Sequence, residues 1–91
     1  MRKIEKEMLN AVQGNTSWCK GNTQVISYWP TSVVFLHGNL IACWWHDDKR
    51  LDVNAMMLKE CPTVTTKSRL RALGANLKQA KGILYLDAKP I

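Results

Sequence analysis

Residues 23–45 read TQVISYWPTSVVFLHGNLIACWW, and this stretch decides the fold class. Three runs within it are rich in β-branched and aromatic residues, which predicts three strands. These runs are residues 23–29, 32–36 and 40–45. Between the last two, Gly38 and Asn39 form a good tight-turn pair, so a β-hairpin is expected there. The runs are almost continuously apolar, which indicates a sheet covered on both faces, by helices or by another subunit of a homodimer.

Helical patterns lie on both sides of this centre. Residues 2–13 form an amphipathic helix with Ile4, Met8 and Val12 on one face, and Gly14 is placed to end it. Two shorter helices are predicted after the sheet, because good N-cap residues stand before each of them. The cap residues are Asn54 for residues 55–60, and Thr63 or Thr65 for a helix that Gly74 stops.

These elements predict one α+β domain over residues 1–91. It consists of an N-terminal helix, a three- or four-stranded antiparallel sheet, a short helical pair and a C-terminal hairpin that turns at Lys81 and Gly82. Residues 14–23 are expected to form a loop, and residues 51–53 a short returning strand.

Positive charge is concentrated at the end of the chain. The last 28 residues, 64–91, hold six of the 13 Lys and Arg residues against one acid, Asp87, and so carry +5 of the formal net charge of +6. A cationic segment of this kind attracts polyanions.

The order of elements in this segment permits a winged-helix-like C-terminal half, with a short helix, a turn, a basic helix and a hairpin. The candidate nucleic-acid-binding residues are Lys67, Ser68, Arg69, Arg71, Lys78 and Lys81. In this hypothesis the lysines and Arg71 contact phosphates, while Ser68 and Arg69 contact bases or the backbone. The alternative interpretation is that these cations solvate a surface helix or bind a protein.

The aromatic residues offer a second way to contact nucleic acid. Tyr28, Trp29, Trp44 and Trp45 could stack on single-stranded bases, or they could pack in the core or at an interface. Adjacent strand residues point to opposite faces, so Trp44 and Trp45 cannot enter the same core layer.

The sequence predicts neither a metal site nor an enzyme. Cys43 and His46 have the spacing of one ligand pair, but zinc sites need two close pairs, and Cys19, His37 and Cys61 are scattered. No pattern sets a nucleophile beside a base, and the glycines do not form a phosphate-binding loop. No cofactor is therefore expected.

The chain also lacks the marks of export. Its three cysteines are odd in number and widely spaced, no apolar run approaches the roughly 20 residues that span a membrane, and the N-terminus has no apolar signal segment. A reduced, cytosolic setting without membrane contact is expected.

Three separated motifs resemble a family of small non-structural proteins encoded by tailed bacteriophages. The motifs are GNTQV at 21–25, VFLHGNLIA at 34–42 and TVTTKSRLRALG at 63–74. The chain has Phe35 where Tyr is common in that pattern, and Arg71 where Asn is common. The resemblance implies a phage gene product that acts in the host cytoplasm, and no functional residue is transferred from it.

Two function hypotheses follow. The first is a non-enzymatic phage accessory protein that binds DNA or RNA through its cationic C-terminal helix and hairpin. The second is a host-takeover or anti-defence inhibitor, for example of the anti-CRISPR type, that binds a bacterial host protein complex. A small structural or assembly protein is a weaker third hypothesis.

Overall fold

The computed structural model describes residues 1–91 and confirms the α+β class. The helices are α1 (Lys3–Gln13), α2 (Ala55–Glu60) and α3 (Val64–Ala72). The large sheet contains β1 (Trp18–Lys20), β2 (Thr23–Tyr28), β3 (Thr31–Leu36), β4 (Asn39–Trp45) and β5 (Arg50–Val53). The small C-terminal sheet contains β6 (Leu77–Ala80), β7 (Ile83–Leu86) and β8 (Lys89–Pro90).

The large sheet is an antiparallel meander in the order β1-β2-β3-β4-β5, with five strands where three or four were expected. The additional strand, β1, lies in the segment that was expected to be a loop. It forms because a two-residue turn at Gly21 and Asn22 folds the chain back, so that Trp18 pairs with Val25. Gly21 has a φ of 58°, which glycine adopts without steric cost.

The β3–β4 hairpin turns one residue earlier than the sequence suggested. Leu36 pairs with Asn39, so His37 and Gly38 are the two turn residues. Their φ angles are 51° and 78°, and a turn of this type needs positive φ at both positions. Gly38 meets this requirement freely, while His37 occupies the small left-handed region that non-glycine residues sometimes adopt.

A register shift in β4 explains why its sequence is apolar without interruption. The pairing shifts between Val34 and Phe35 of β3, and both Ile41 and Ala42 are buried. The carbonyls at this bulge are bound by Asn54, whose backbone N–H donates to Ile41 O at 2.8 Å and whose side chain donates to Leu40 O at 2.8 Å. The Asn54 side chain also accepts from the Met57 N–H and so caps α2, as predicted.

The core lies between one face of the large sheet and the helices. Met8 of α1, Leu58 of α2 and Leu70 of α3 are each at most 1% exposed and belong to one cluster with Val25 and Val34 of the sheet. Leu77 extends this cluster to the small sheet, which packs against α3. All three helices therefore cover the same face of the large sheet. The longest of them has 11 residues, and none is long and apolar enough to cross a membrane.

Candidate nucleic-acid interface

Helix α3 separates buried charge from exposed charge. It begins after Thr63, whose hydroxyl accepts from the Thr66 N–H at 3.1 Å, as the capping pattern predicted. Thr66, Arg69 and Leu70 are buried against the sheet and α1, whereas Arg71 is exposed. The cations of this helix therefore lie in two different environments.

The inner side of α3 carries a buried ion pair. Arg69 is 4% exposed, and its Nη1 donates to Glu5 Oε2 at 2.7 Å. Its Nε donates to Thr23 Oγ1 at 3.1 Å, and the Ser68 hydroxyl donates to Glu5 Oε2 at 2.6 Å. This network connects α3 to α1 and β2. Arg69 thus serves the interior of the fold. Ser68 is half-buried and lines the groove between α1 and α3, but its hydroxyl proton is given to Glu5.

The carboxylate in this network stays ionised. Burial alone would raise the pKa of Glu5, but hydrogen bonds from Ser68 and Arg69 and the Arg69 charge outweigh burial and lower the pKa below its ordinary value. At neutral pH the Glu5 carboxylate therefore cancels the Arg69 charge.

The outer side of α3 holds its cations against the small sheet without a carboxylate. Lys67 Nζ donates to Gln79 Oε1 at 2.6 Å, and Arg71 Nε donates to Leu77 O at 3.1 Å. Both acceptors are neutral, so neither cation is cancelled. The Arg71 Nη atoms make no hydrogen bond within the chain and remain available to a phosphate.

Two of the grooves that flank α3 are each lined by two cations, while a third, at the start of the helix, is lined by no Lys or Arg residue. A half-open cleft of about 350 Å³ separates α2 and α3 from the small sheet and is lined by Lys59 and Lys67. A more open groove of about 440 Å³ between α1 and α3 is lined by Arg2 and Arg71. Glu5 and Ser68 also line this groove, but the Glu5 carboxylate is engaged there by Ser68 and Arg69. We call the two cation-lined grooves the α3 grooves.

Arg2 and Lys59 were not among the sequence candidates. Lys59 lies five residues before the segment used for the charge count, and extending that count through α2 would have found it. Arg2 lies at the other end of the chain from α3. Its position beside Arg71 depends on the packing of α1 on α3, for which the sequence offers no local signal.

The other two candidates lie on the small sheet. Lys81 occupies the β6–β7 turn with a φ of 51°, next to Gly82, which lines the cleft. Lys78 alternates with Gln79 along β6 and pairs with Tyr85, so it points to the face of the small sheet opposite Gln79. The structure therefore brings Lys67 to the cleft, places Lys81 in the turn beside the cleft, and places Lys78 on another face.

The C-terminal half has the order of elements of a winged helix, but its basic helix, α3, does not have the exposed face of a recognition helix. Helix α3 has nine residues, and Val64 and Arg71 are its only exposed ones. A recognition helix would present a whole face to the major groove. Because α1 and the small sheet cover the sides of α3, its geometry suits contacts with phosphates rather than with base edges.

Acidic residues are distributed so that the C-terminal charge is not neutralised. Residues 1–54 contain six cations and five acids, whereas residues 55–91 contain seven cations and two acids. The three salt bridges of the structure all use acids of the first part. They join Lys20 to Glu7, Arg50 to Asp52 and Arg69 to Glu5. Arg69 is therefore the one C-terminal cation that a carboxylate cancels.

The tryptophans do not converge on the α3 grooves. Trp44 packs against the core, while Trp45 lies on the opposite face of the sheet and donates Nε1 to Asp52 Oδ2 at 2.8 Å. This alternation is the one that the sequence predicted. Trp29 is 62% exposed and stacks on the His46 ring at 5.3 Å between centroids. The stacking hypothesis therefore has no support from the cationic surface.

A chain of hydrogen bonds fixes the role of His46. The Ser27 hydroxyl donates to Thr16 O at 3.1 Å, so its one proton is used. The Ser32 hydroxyl, 2.7 Å away, must then donate to Ser27, and His46 Nε2, 2.7 Å from Ser32, must donate to Ser32. His46 therefore does not act as a base toward Ser32, whose side chain is also fully buried.

The structure brings together no group of three His, Cys, Asp or Glu side chains that could hold a metal ion. Burial and the nearby Asp52 carboxylate raise the pKa of the Cys43 thiol, although Arg50 partly offsets them. Metal ligation needs the thiolate, so this environment disfavours Cys43 as a ligand.

Comparison with known proteins identifies the origin of the chain. Neither the curated proteins nor the solved structures contain a match to it. One family model, described as Kyanoviridae Gp96 protein, matches residues 1–90. The match covers nearly the whole chain and confirms the resemblance to phage proteins. The chain therefore belongs to the Kyanoviridae Gp96 family, a family of phage proteins.

Proposed function

We propose that this phage protein is a non-enzymatic accessory protein that binds the sugar-phosphate backbone of DNA or RNA in the host cytoplasm. The contacts come from the cations of the α3 grooves, Arg2, Lys59, Lys67 and Arg71, with Lys81 at the edge of the cleft. The observation that carries the proposal is that none of these five cations is paired with a carboxylate.

The way these cations are held supports phosphate binding. Arg71 is oriented by its bond to Leu77 O, and Lys67 by its bond to Gln79, so part of the ordering cost is met before a ligand arrives. Arginine and lysine contacts to phosphates supply most of sequence-independent affinity for nucleic acid. Since α3 offers no exposed face for base contacts, we expect little sequence preference.

The cleft between α3 and the small sheet suits a single nucleotide, with its phosphate and its base. Lys59, Lys67 and Gln79 give it a polar, cationic side, while Ile83 and Leu84 give it an apolar side. A nucleotide combines an anionic phosphate with a flat, weakly polar base, and both parts find a partner there. Lys78 lies on the opposite face of the small sheet, so it contributes long-range attraction rather than a contact in the cleft.

The non-enzymatic part of the proposal is supported by the geometry of one serine–histidine pair. The Ser32 hydroxyl and the His46 ring are the one serine–histidine pair in contact, but the hydrogen bonds require the histidine to donate. A general base must accept the nucleophile's proton, and this pair is arranged in the reverse direction.

The test is a salt titration of binding to duplex and single-stranded DNA of unrelated sequences. The double variant Lys67→Ala/Arg71→Ala removes one cation from each α3 groove. Affinity falls as salt rises, and each lost phosphate contact makes the plot of log affinity against log salt shallower by about 0.9 on duplex DNA. We therefore expect the magnitude of the slope to decrease by about 1.8 in this variant. Similar affinity for all sequences is expected.

The matched control is Lys20→Ala/Lys49→Ala, which removes the same charge from the large-sheet half of the molecule. Lys20 is paired with Glu7 at the surface and Lys49 lies in the β4–β5 turn, so neither belongs to the grooves. We expect the slope to remain close to that of the unaltered chain. An equal loss in both double variants would show that net charge, and not the grooves, determines binding.

Absence of binding at low salt would overturn the proposal. The second hypothesis, an inhibitor that docks on a host defence or regulatory protein, would then take its place. Capture of one defined bacterial protein from a host lysate, with loss of capture in Lys67→Ala/Arg71→Ala, would support that hypothesis.

A further inference from the structure

The large sheet has one face that no element of the chain covers. The helices pack on the face that carries Val25 and Val34, and the residues that alternate with these point the other way. The name open face is used for this second face. Its apolar side chains are Ile26, Tyr28, Val33, Phe35, Leu40 and Trp45. Ile26 is 43% exposed and Tyr28 is 82% exposed.

A sheet face with six apolar side chains is not typical of a solvated surface. Antiparallel sheets that face water on one side usually alternate apolar and polar residues. The open face instead carries its six apolar side chains among a few polar ones, which are Gln24, Thr31, Arg50 and Asp52. Contiguous apolar surface of this kind marks an interaction site. The open face and the α3 cations lie on opposite sides of the large sheet, so the observation is independent of the proposed nucleic-acid binding.

We propose that the open face binds a second copy of this chain, so that two large sheets pack face to face. The shape of the surface supports a flat partner: none of the cavities of the molecule is lined by the six apolar residues of the open face. A helix or a peptide needs a groove, whereas two antiparallel sheets stack about 10 Å apart with interdigitating side chains.

The charges of the open face also suit a second copy. Arg50 and Asp52 are its charged residues, and they form a salt bridge of 3.5 Å beside Trp45. Their sum is zero, whereas the whole chain has a net charge of +6. Two positively charged copies repel each other least where the local charge is balanced. In a dimer with a two-fold axis, Arg50 of one copy can also face Asp52 of the other, and the reverse.

The edges of the sheet are poorer sites for a second copy. The edge strand β1 has three residues and β5 has four, so each offers few free backbone groups for a further strand. The open face is wider because it draws on the interior strands β2, β3 and β4, which have six or seven residues each.

The test is sedimentation equilibrium of the full chain over a range of concentrations. We expect a dimer at micromolar concentrations, and we expect Ile26→Lys to raise the dimer dissociation constant roughly 30-fold or more, as for a residue at the centre of an interface. The matched control is Met56→Lys. Met56 is 72% exposed on α2, away from the open face, so this variant should dimerise like the unaltered chain.

A second measurement needs no substitution. Cys43 lies on the open face between Val33 and Asp52, whereas Cys61 follows α2 on the other side of the sheet. Alkylation of Cys43 should slow as the protein concentration rises, while alkylation of Cys61 should not change. This readout remains informative if Ile26→Lys does not fold.

Two results would overturn the proposal. One is a chain that stays monomeric at all concentrations, with alkylation of Cys43 independent of concentration. The open face would then be a surface for a different protein, as the inhibitor hypothesis requires. The other is a dimer that Met56→Lys dissociates and Ile26→Lys does not, which would place the contact on the helices.

Discussion

Arg69 and Arg71 stand two residues apart on α3, yet they contribute to the molecule in opposite ways. The guanidinium of Arg69 is 4% exposed and bound to Glu5 and Thr23. That of Arg71 is exposed, and one backbone carbonyl, Leu77 O, is its partner. The difference shows that positive charge counted along a sequence is not positive charge offered to a ligand.

The inner and outer sides of α3 also differ in how much their charges reduce the stability of the fold. A buried ion is expensive unless it is paired, so Arg69 is acceptable only because Glu5 is ionised beside it. Lys67 and Arg71 keep contact with water, and their charge costs little to maintain. We therefore expect substitutions on the inner side to change stability, and substitutions on the outer side to change binding.

The largest expected effect is the loss of stability in Arg69→Ala. This variant leaves the Glu5 carboxylate buried without its cation, which typically costs about 3–5 kcal/mol. A chain of this length has a total free energy of unfolding of about 5–14 kcal/mol. Urea denaturation measures the difference, and Arg71→Ala is the matched control. Equal losses in the two variants would contradict the distinction between the two sides.

The pair can also be removed as a whole. Glu5→Leu combined with Arg69→Met replaces both ions by apolar side chains of similar length, and such replacements are often neutral or stabilising. We expect the double variant to be more stable than Arg69→Ala in the same urea denaturation. A double variant as unstable as Arg69→Ala would mean that the hydrogen bonds to Thr23 and Ser68, rather than the charges, hold α3 in place.

A smaller effect is expected when arginine is replaced by lysine at the same two positions. A lysine at position 69 keeps the charge, but its single nitrogen cannot reproduce the two separate donors that reach Glu5 and Thr23. We expect Arg69→Lys to cost about 2 kcal/mol, as for a lost hydrogen bond to a charged group. Arg71→Lys should leave stability and the salt slope of DNA binding almost unchanged. A large effect at position 71 in urea denaturation would show that Arg71 also has a structural role.

Much of the fold follows from local sequence signals. The cap residues Asn54 and Thr63 and the break at Gly74 set the bounds of α2 and α3. The strands β2, β3 and β4 are visible because their β-branched and aromatic residues are consecutive. The first strand was missed, because its three residues become a strand only by pairing with β2.

The candidate site was less predictable, for a physical reason. Its cations come from the residue before α1, from α2 and α3, and from the β6–β7 turn, and which of them meet depends on packing between distant elements. Nothing local distinguishes Arg69 from Arg71, because the carboxylate that neutralises Arg69 is 64 residues away. The open face is a similar case: the sequence shows apolar strands, but only the structure shows that all the helices cover one side.

The dependence of stability on pH gives the next prediction. The pKa of Glu5 is lowered in the folded chain, so between its folded and unfolded values the unfolded state binds more protons. The ionised Glu5 therefore adds its full share to the free energy of unfolding above its unfolded pKa of about 4.3. This share is lost as the pH falls through the lower pKa that Glu5 has in the folded chain. Each unit of pKa difference corresponds to about 1.4 kcal/mol.

Glu5→Gln tests this contribution by removing it at every pH. The difference in melting temperature between the unaltered chain and Glu5→Gln should be largest near neutral pH and should shrink below about pH 4. Glu7→Gln is the control, since Glu7 pairs with Lys20 at the surface, where ion pairs contribute little. A gap that stays constant down to low pH would mean that Glu5 is not ionised in the folded chain.

The smallest expected effect is that of Lys67→Ala on stability. The Lys67 ammonium donates to a neutral, exposed Gln79 side chain, and water can replace each partner when the other is removed. We therefore expect a change within about 0.5 kcal/mol in urea denaturation, as for other surface substitutions. The same variant should still decrease the magnitude of the salt slope of DNA binding by about 0.9. If Lys67→Ala instead destabilises the chain by more than about 1 kcal/mol, α3 depends on the cleft for its packing, and weaker binding by this variant would no longer identify Lys67 as a phosphate contact.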